Sequence, residues 1–364
     1  MEVDSSLFRL VLFHIAFTLL YCFLSPLIYI CFVKRYTYSS SLFTQPFVSI
    51  MSLPIIDIAP LFQNNKDDLH RVAKEIDHAC RMWGFFYIVG HGIPKSRMQE
   101  LTAMAHRFFS LPMEEKLKID ITKSTNHRGY STFNTEQLDP SKPGDYKETF
   151  DMQCHLEKDH PLVKAGHPLR GPNVHPDIEG WKELLETHYK DMQAMALQLL
   201  RALALAIGID ENFFVSKFVE PLSAFRIIRY PALPEEKGRV VCGAHTDYGV
   251  VTLLYQDTVG GLQVRNLDGE WMDAPPVEGS FVVNIGDMMA MWSNDRYTTT
   301  SHRVLNPGVE RISMPFFCEP HPEVEIECLP HCHSAENPAK YPVVTSGEWM
   351  QKRFQQTYAY RDES

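Results

Sequence analysis

Three side chains in this sequence could hold a metal and leave half of its coordination sphere open. His245 and Asp247 stand in Gly243-Ala244-His245-Thr246-Asp247-Tyr248-Gly249, and His302 follows in Ser301-His302-Arg303. Residues two apart on an extended strand share a face, which predicts an imidazole and a carboxylate side by side at 245 and 247. His302 adds a second imidazole. Two His and one carboxylate suit non-haem Fe(II), because the opposite positions stay free for a co-substrate and oxygen. In Arg311-Ile312-Ser313 the same rule puts a guanidinium fork and a hydroxyl on one face, a pair suited to a carboxylate.

Spacing alone does not single out one pair. Among 16 histidines, His155 precedes Glu157, His175 precedes Asp177 and His321 precedes Glu323 at the same interval. His175-Pro176-Asp177 and His321-Pro322-Glu323 read as loop, where nothing keeps two ligands in register. His155-Leu156-Glu157 fits a strand, with His160 nearby, but has no later anion-binding partner. Cys328, His331, Cys332 and His333 cluster at a spacing that matches no common zinc pattern.

Strands must position these residues. An apolar run at 250–255 is followed by Gly260-Gly261, then by 262–265 and 270–272 on either side of the hairpin signal Asp268-Gly269. Further strands are predicted at 54–58, 84–89, 145–153, 225–231, 280–287 and 311–317. The fold class expected is mainly β with flanking helices, a double-stranded β-helix of the jelly-roll, cupin-like kind. Asp67 or Asp68 caps a first helix with the stripe Leu69, Val72, Ile76 and Cys80. A second helix runs from about 96 to 109. A long one covers Trp181 to Ile207 and ends at Gly208. Ser346-Gly347-Glu348-Trp349 opens a last helix.

On these residues the chain resembles the 2-oxoglutarate/Fe(II)-dependent oxygenase superfamily, in its isopenicillin N synthase-like branch. The resemblance runs from about Leu53 to Tyr360 and includes the Gly84-Phe85-Phe86 and His91-Gly92-Ile93 scaffold element. It implies Fe(II) on His245, Asp247 and His302, and 2-oxoglutarate with its far carboxylate on Arg311 and Ser313. Tyr230, ahead of Pro231, is implied as a further co-substrate contact. Oxygen and 2-oxoglutarate are then consumed, succinate and carbon dioxide released, and a small-molecule substrate hydroxylated or desaturated. The resemblance also places Arg128-Gly129-Tyr130 over the barrel mouth, which makes Tyr130 and Phe133 candidates for substrate contact. Many plant relatives carry Asn where this chain has Ile228; Trp292-Ser293-Asn294-Asp295 is similar to fungal and bacterial members. Two alternatives stay open: an Fe(II) oxidase that needs no 2-oxoglutarate, and a non-catalytic jelly-roll binding protein.

Composition bounds the rest. A formal net charge of −10 with no basic run argues against a nucleic-acid partner. Eight cysteines without a C-x-x-C pair fit a reducing compartment better than a disulfide framework. The expected organisation is a hydrophobic extension at 1–50, a scaffold region at 51–165 and a helix-braced jelly-roll core at 166–364. Residues 10–33 form 24 residues without Asp, Glu, Lys or Arg. As a helix rising ~1.5 Å per residue this spans roughly 36 Å, against ~30 Å of hydrocarbon. Lys34-Arg35 behind it and Glu2 and Asp4 ahead of it orient the catalytic part toward the cytoplasm. The extension is thus either a membrane anchor or a dispensable leader, since Met51-Ser52-Leu53-Pro54 would also serve as a start. No pattern in the chain signals an oligomeric state.

Overall fold

Apolar runs broken by turns pair here into two main sheets, and 325–326 with 344–345 form a short third one. The computed structural model describes residues 52–63 and 66–361. The stretch 10–33 lies outside the described residues, as does the rest of 1–50; among the described residues no helix is long and apolar enough to cross a membrane.

From residue 52 onward come β1 (Ile55–Asp57), α1 (Lys66–Met82), β2 (Phe85–Val89), α2 (Lys95–Phe109), β3 (Gly129–Ser131), β4 (Glu148–Gln153) and the long helix α3 (Trp181–Ile207). Then follow β5 (Ala224–Tyr230), β6 (Val240–His245), β7 (Val251–Gln256), β8 (Leu262–Arg265) and β9 (Trp271–Asp273). β10 (Phe281–Ile285), β11 (His302–Leu305), β12 (Arg311–Cys318) and α4 (Ser346–Thr357) complete the frame. Eight strands pair in the order β1-β2-β10-β7-β12-β5-β4-β3, and four in the order β6-β11-β8-β9. Among these strands only β1 with β2 is parallel. The jelly-roll expectation holds.

Two apolar cores follow from this layering. Ile228 and Tyr230 of the large sheet meet Val241, Val264 and Val304 of the small one. A second core joins the large sheet to the helices through Val72, Ile76, Leu101, Phe108, Trp181 and Leu199. Each such side chain, once removed from water, contributes roughly 1.5–3 kcal/mol. α3 buries Trp181, Leu184, Leu185, Met192, Met195, Leu199 and Leu203, the stripe its period predicts. Gly208 stops it at φ +92°, a conformation that a Cβ would strain. α4 opens on a capping box in which Thr345 and Glu348 satisfy each other's backbone N–H groups.

Three local expectations change. β6 ends on His245, so Asp247 is not a strand residue; it occupies the turn toward β7. α1 begins at Lys66, which puts Asp67 and Asp68 in its first turn, where they complement the positive helix end instead of capping it. The strand expected at 145–153 has an unforeseen neighbour, because Gly129–Ser131 pairs with β4. Three residues are too few to show an alternation.

Candidate active site

Strand pairing brings the two histidines together. β11 lies antiparallel to β6 with His302 opposite His245. Asp247 reaches the same point from the turn, whose backbone packs on the start of the 286–293 segment. Its carbonyl accepts from the Asp287 N–H at 2.8 Å, and a Cβ on Gly286 would come within 2.3 Å of the Gly249 carbonyl oxygen. Only glycine at 286 permits that approach.

Asp247 Oδ1 then stands 3.7 Å from His245 Nε2 and 3.6 Å from His302 Nε2. One ligand atom from each of the three lies within 4.8 Å of the others, and no other such group occurs among the described residues. The Cys328, His331, Cys332 and His333 cluster is therefore not assembled. Nor are the decoy pairs: His155 faces Glu157 and accepts from the Asn173 N–H, His175 faces Glu186, and His321 accepts from the Glu323 N–H.

Hydrogen bonds fix the working form of each group. The Nδ1–H of His245 donates to the Gly243 carbonyl at 2.8 Å, and that of His302 to the Thr300 carbonyl at 3.1 Å. Both Nε2 lone pairs are thereby turned inward. Asn284 Nδ2 donates to Asp247 Oδ2 at 2.7 Å. Burial, then the neighbouring His302, push His245 down to about 3, so its imidazole is neutral. Burial works to raise the Asp247 carboxyl, but His302, His245, Thr252 and Asn284 together hold it below the usual carboxylate value. A neutral imidazole and an ionised carboxylate are forms that bind a cation. The three residues fit a metal.

A cavity of about 540 Å³ contains His245, Asp247 and His302 in its wall together with Tyr230, Arg311 and Ser313. The six residues that the resemblance implies for Fe(II) and 2-oxoglutarate meet there. Arg311 is 1% exposed. Its Nη1 donates to Ser313 Oγ at 2.9 Å and its Nη2 to Gln256 Oε1 at 3.1 Å, while Nε has no partner among the described residues. The Tyr230 ring lies 5.2 Å from its guanidinium carbon. No carboxylate among the described residues forms an ion pair with it. A buried charge without a counter-ion costs several kcal/mol, so this guanidinium fits an incoming anion. Gln256 was not foreseen; it joins through its register opposite Ser313, which no local spacing reveals.

A second cavity of about 510 Å³ shares His245 and Asp247 and extends to Met350 and Phe354 of α4. Its wall carries Glu136, Asp151, Gln153, Arg226 and Glu319. Burial, then the Asp247 carboxylate, push Glu319 up to about 8, a shift that a cation beside it would reverse. Tyr130 and Phe133 line neither cavity: Tyr130 is buried against Phe108 and donates to Glu148, and Phe133 stacks on Tyr146 at 4.6 Å.

Residues 53–178 match the family model for the non-haem dioxygenase in morphine synthesis N-terminal region, and 221–320 match that of the 2OG-Fe(II) oxygenase superfamily. The 2-oxoglutarate-Fe(II) type oxidoreductase hxnY of Emericella nidulans is 34% identical over 323 residues, 85% of this chain and 93% of that protein. The chain belongs to the 2OG-Fe(II) oxygenase superfamily. A homoarginine-6-hydroxylase of Oryza sativa subsp. japonica is 38% identical over 317 residues, 82% of this chain and 95% of that protein. The crystal structure of a full-length Neurospora crassa protein in complex with alpha-KG and thymine superposes with a TM-score of 0.74 at 32% identity, covering 84% of this chain and 97% of that one. This 2OG oxygenase is a non-haem Fe(II)- and 2-oxoglutarate-dependent dioxygenase on a jelly-roll fold. It oxidises a small molecule with oxygen as co-substrate and releases succinate and carbon dioxide.

Proposed function

We propose that the protein hydroxylates its substrate in the cavity under α4, with Fe(II) on His245, Asp247 and His302 and the far carboxylate of 2-oxoglutarate on Arg311 and Ser313. The observation that carries this reading is the buried Arg311, paired with no carboxylate among the described residues, in the same cavity as the three ligand residues. Relatives named as homoarginine-6-hydroxylases support hydroxylation as the outcome. Bound iron, 2-oxoglutarate and oxygen supply the oxidising chemistry.

The chain's own work is binding, orientation and exclusion of water. The Gly243 and Thr300 carbonyls keep both imidazoles edge-in, and Asn284 holds the carboxylate so that one oxygen stays available. Arg311 offers a fork to the far carboxylate, with Ser313 beside it and the Tyr230 ring against the guanidinium. Leu254, Leu262 and Val304 give the cavity an apolar stretch of wall. In this reading residues 51–165 frame the barrel and 166–364 carry its catalytic residues. The described cysteines are all free, which supports a reducing, cytoplasmic setting.

The test is stoichiometric. Full-length protein, purified without oxygen and loaded with Fe(II), is given 2-oxoglutarate and a panel of amino acids and pyrimidines while oxygen uptake and succinate are followed together. Succinate release that rises with one panel member is expected. Oxygen uptake without succinate overturns the reading in favour of an oxidase.

A further inference from the structure

The cavity under α4 has more acceptors in its wall than the protein satisfies. Glu319 Oε2 and Gln153 Oε1 are both buried and have no hydrogen-bond partner among the described residues. Glu319 is 3% and Gln153 4% exposed. Both line the space that also holds His245 and Asp247.

The sheet register explains why they converge. Gln153 on β4 and Phe317 on β12 both lie opposite Ala224 of β5. Glu319 stands two residues past Phe317, on the same face of that chain segment. The methyl group of Ala224 between them leaves the gap open. On the other side Gly249 makes room, because a Cβ there would lie 2.8 Å from Glu319 Cγ.

The cavity's cation cannot answer these acceptors. Arg226 is already committed: Nε donates to Asp151 Oδ1 at 2.6 Å, Nη1 to Glu136 Oε2 at 3.0 Å and Nη2 to the Tyr358 hydroxyl at 2.7 Å. Lys147 behind it is shared between Glu136 and Asp145. Three carboxylates thus face two cations before Glu319 is counted. An anionic guest meets no uncommitted positive group on this wall, whereas a guest rich in N–H donors meets two waiting oxygens.

We infer that Glu319, assisted by Gln153, is the specificity-determining residue for a substrate carrying a cationic nitrogen group, a guanidinium or an ammonium. This rests on the oxygenase reading above and adds the chemical class of the substrate. Arg311 at one end of β12 then takes the co-substrate's carboxylate, and Glu319 just past the other end takes the substrate's cation. The group to be oxidised lies between them, next to His245 and Asp247.

Direct binding tests it on the full-length protein loaded with Fe(II) and 2-oxoglutarate under anaerobic conditions. L-arginine and L-homoarginine are titrated calorimetrically against L-citrulline, which has nearly the shape of arginine but a neutral ureido end. The cationic ligands are expected to bind at least about tenfold more tightly, since a charge-assisted contact is lost with citrulline. Glu319→Gln is expected to bring arginine and citrulline within about threefold of each other, with Glu319→Asp in between. Equal binding of arginine and citrulline to the unmutated protein overturns the inference, whether or not the variants fold. So does a preference for arginine that Glu319→Gln leaves unchanged. Succinate release stimulated only by a neutral guest, such as thymine or citrulline, removes the role of Glu319 and leaves the oxygenase reading standing. Failure to turn over 2-oxoglutarate with any guest removes both.

Discussion

His302 sits directly across the sheet from His245, with ring centroids 4.2 Å apart and both Nε2 atoms within 3.7 Å of Asp247 Oδ1. The relationship is made by the pairing of β11 with β6, so neither histidine can be moved without moving a strand. His245→Ala or Asp247→Ala is therefore expected to cost the protein its metal while leaving the sheet folded. Bound iron after gel filtration and succinate formation should both fall by more than about 100-fold, beyond what loss of a supporting residue does. Full activity in either variant would sink the ligand assignment.

Asn284 donates to Asp247 Oδ2, the oxygen turned away from the Oδ1 that stands near both imidazoles. Its replacement by Leu keeps the branched outline but removes the donor, which frees the carboxylate to turn. Metal affinity is expected to drop about 10–100-fold, as for other groups that orient a ligand. Co(II) titration, followed in the visible spectrum, measures it without turnover.

Arg311→Ala removes the fork from a buried position. A hydrogen bond to a charged group is worth about 1.5–3 kcal/mol, so the KM for 2-oxoglutarate is expected to rise by about 10- to 150-fold. The KM for the substrate should move far less, because Arg311 lines the cavity with Tyr230 and Ser313 and not the one under α4. An unchanged 2-oxoglutarate requirement would place the co-substrate elsewhere.

Acid should destabilise the fold through His188, a residue remote from the proposed chemistry. It is buried on α3 against Phe225, with no hydrogen-bond partner at either ring nitrogen among the described residues. Burial, then Arg97, push it down to about 3. Between its unfolded value near 6.5 and about 3, the unfolded chain binds a proton that the folded chain does not. Stability is thus complete above that window and declines as pH falls through it, by up to about 1.4 kcal/mol per unit. His188→Phe is expected to flatten this dependence in urea titrations at pH 7.5 and pH 5. An equal pH slope in the variant would assign the acid sensitivity to other groups.

α4 carries Met350 and Phe354 into the cavity wall and starts on the Thr345–Glu348 box. Thr345→Ala is expected to cost about 1 kcal/mol in that helix. Hydrogen exchange should quicken in its first turn, and the substrate KM should rise with the 2-oxoglutarate KM unchanged.

Legibility in the sequence followed the range of the interaction. The stripe of α3, the Gly208 stop and the Asp268-Gly269 turn between β8 and β9 were all readable, since each is decided by neighbours a few residues away. β3 was not, because its three residues are a strand only by virtue of β4 beside them. The same limit applied to Asp247. Its spacing from His245 was right, but the reason given, a shared strand face, was not: the turn's packing on Gly286 aims it.

Side-chain chemistry by itself determined that two imidazoles, a carboxylate, a guanidinium and a hydroxyl were available in an order suited to Fe(II) and 2-oxoglutarate. It could not rank His245 and Asp247 above His155 and Glu157 without the later groups. Only the tertiary structure decided which pair meets a third ligand, because that depends on β11 choosing β6 as its neighbour. It alone revealed the acceptors of the second cavity. Gln153, Arg226 and Glu319 come from three separate segments, and no spacing relates them. What relates them is register across a sheet, a property of paired backbones that a single strand does not contain.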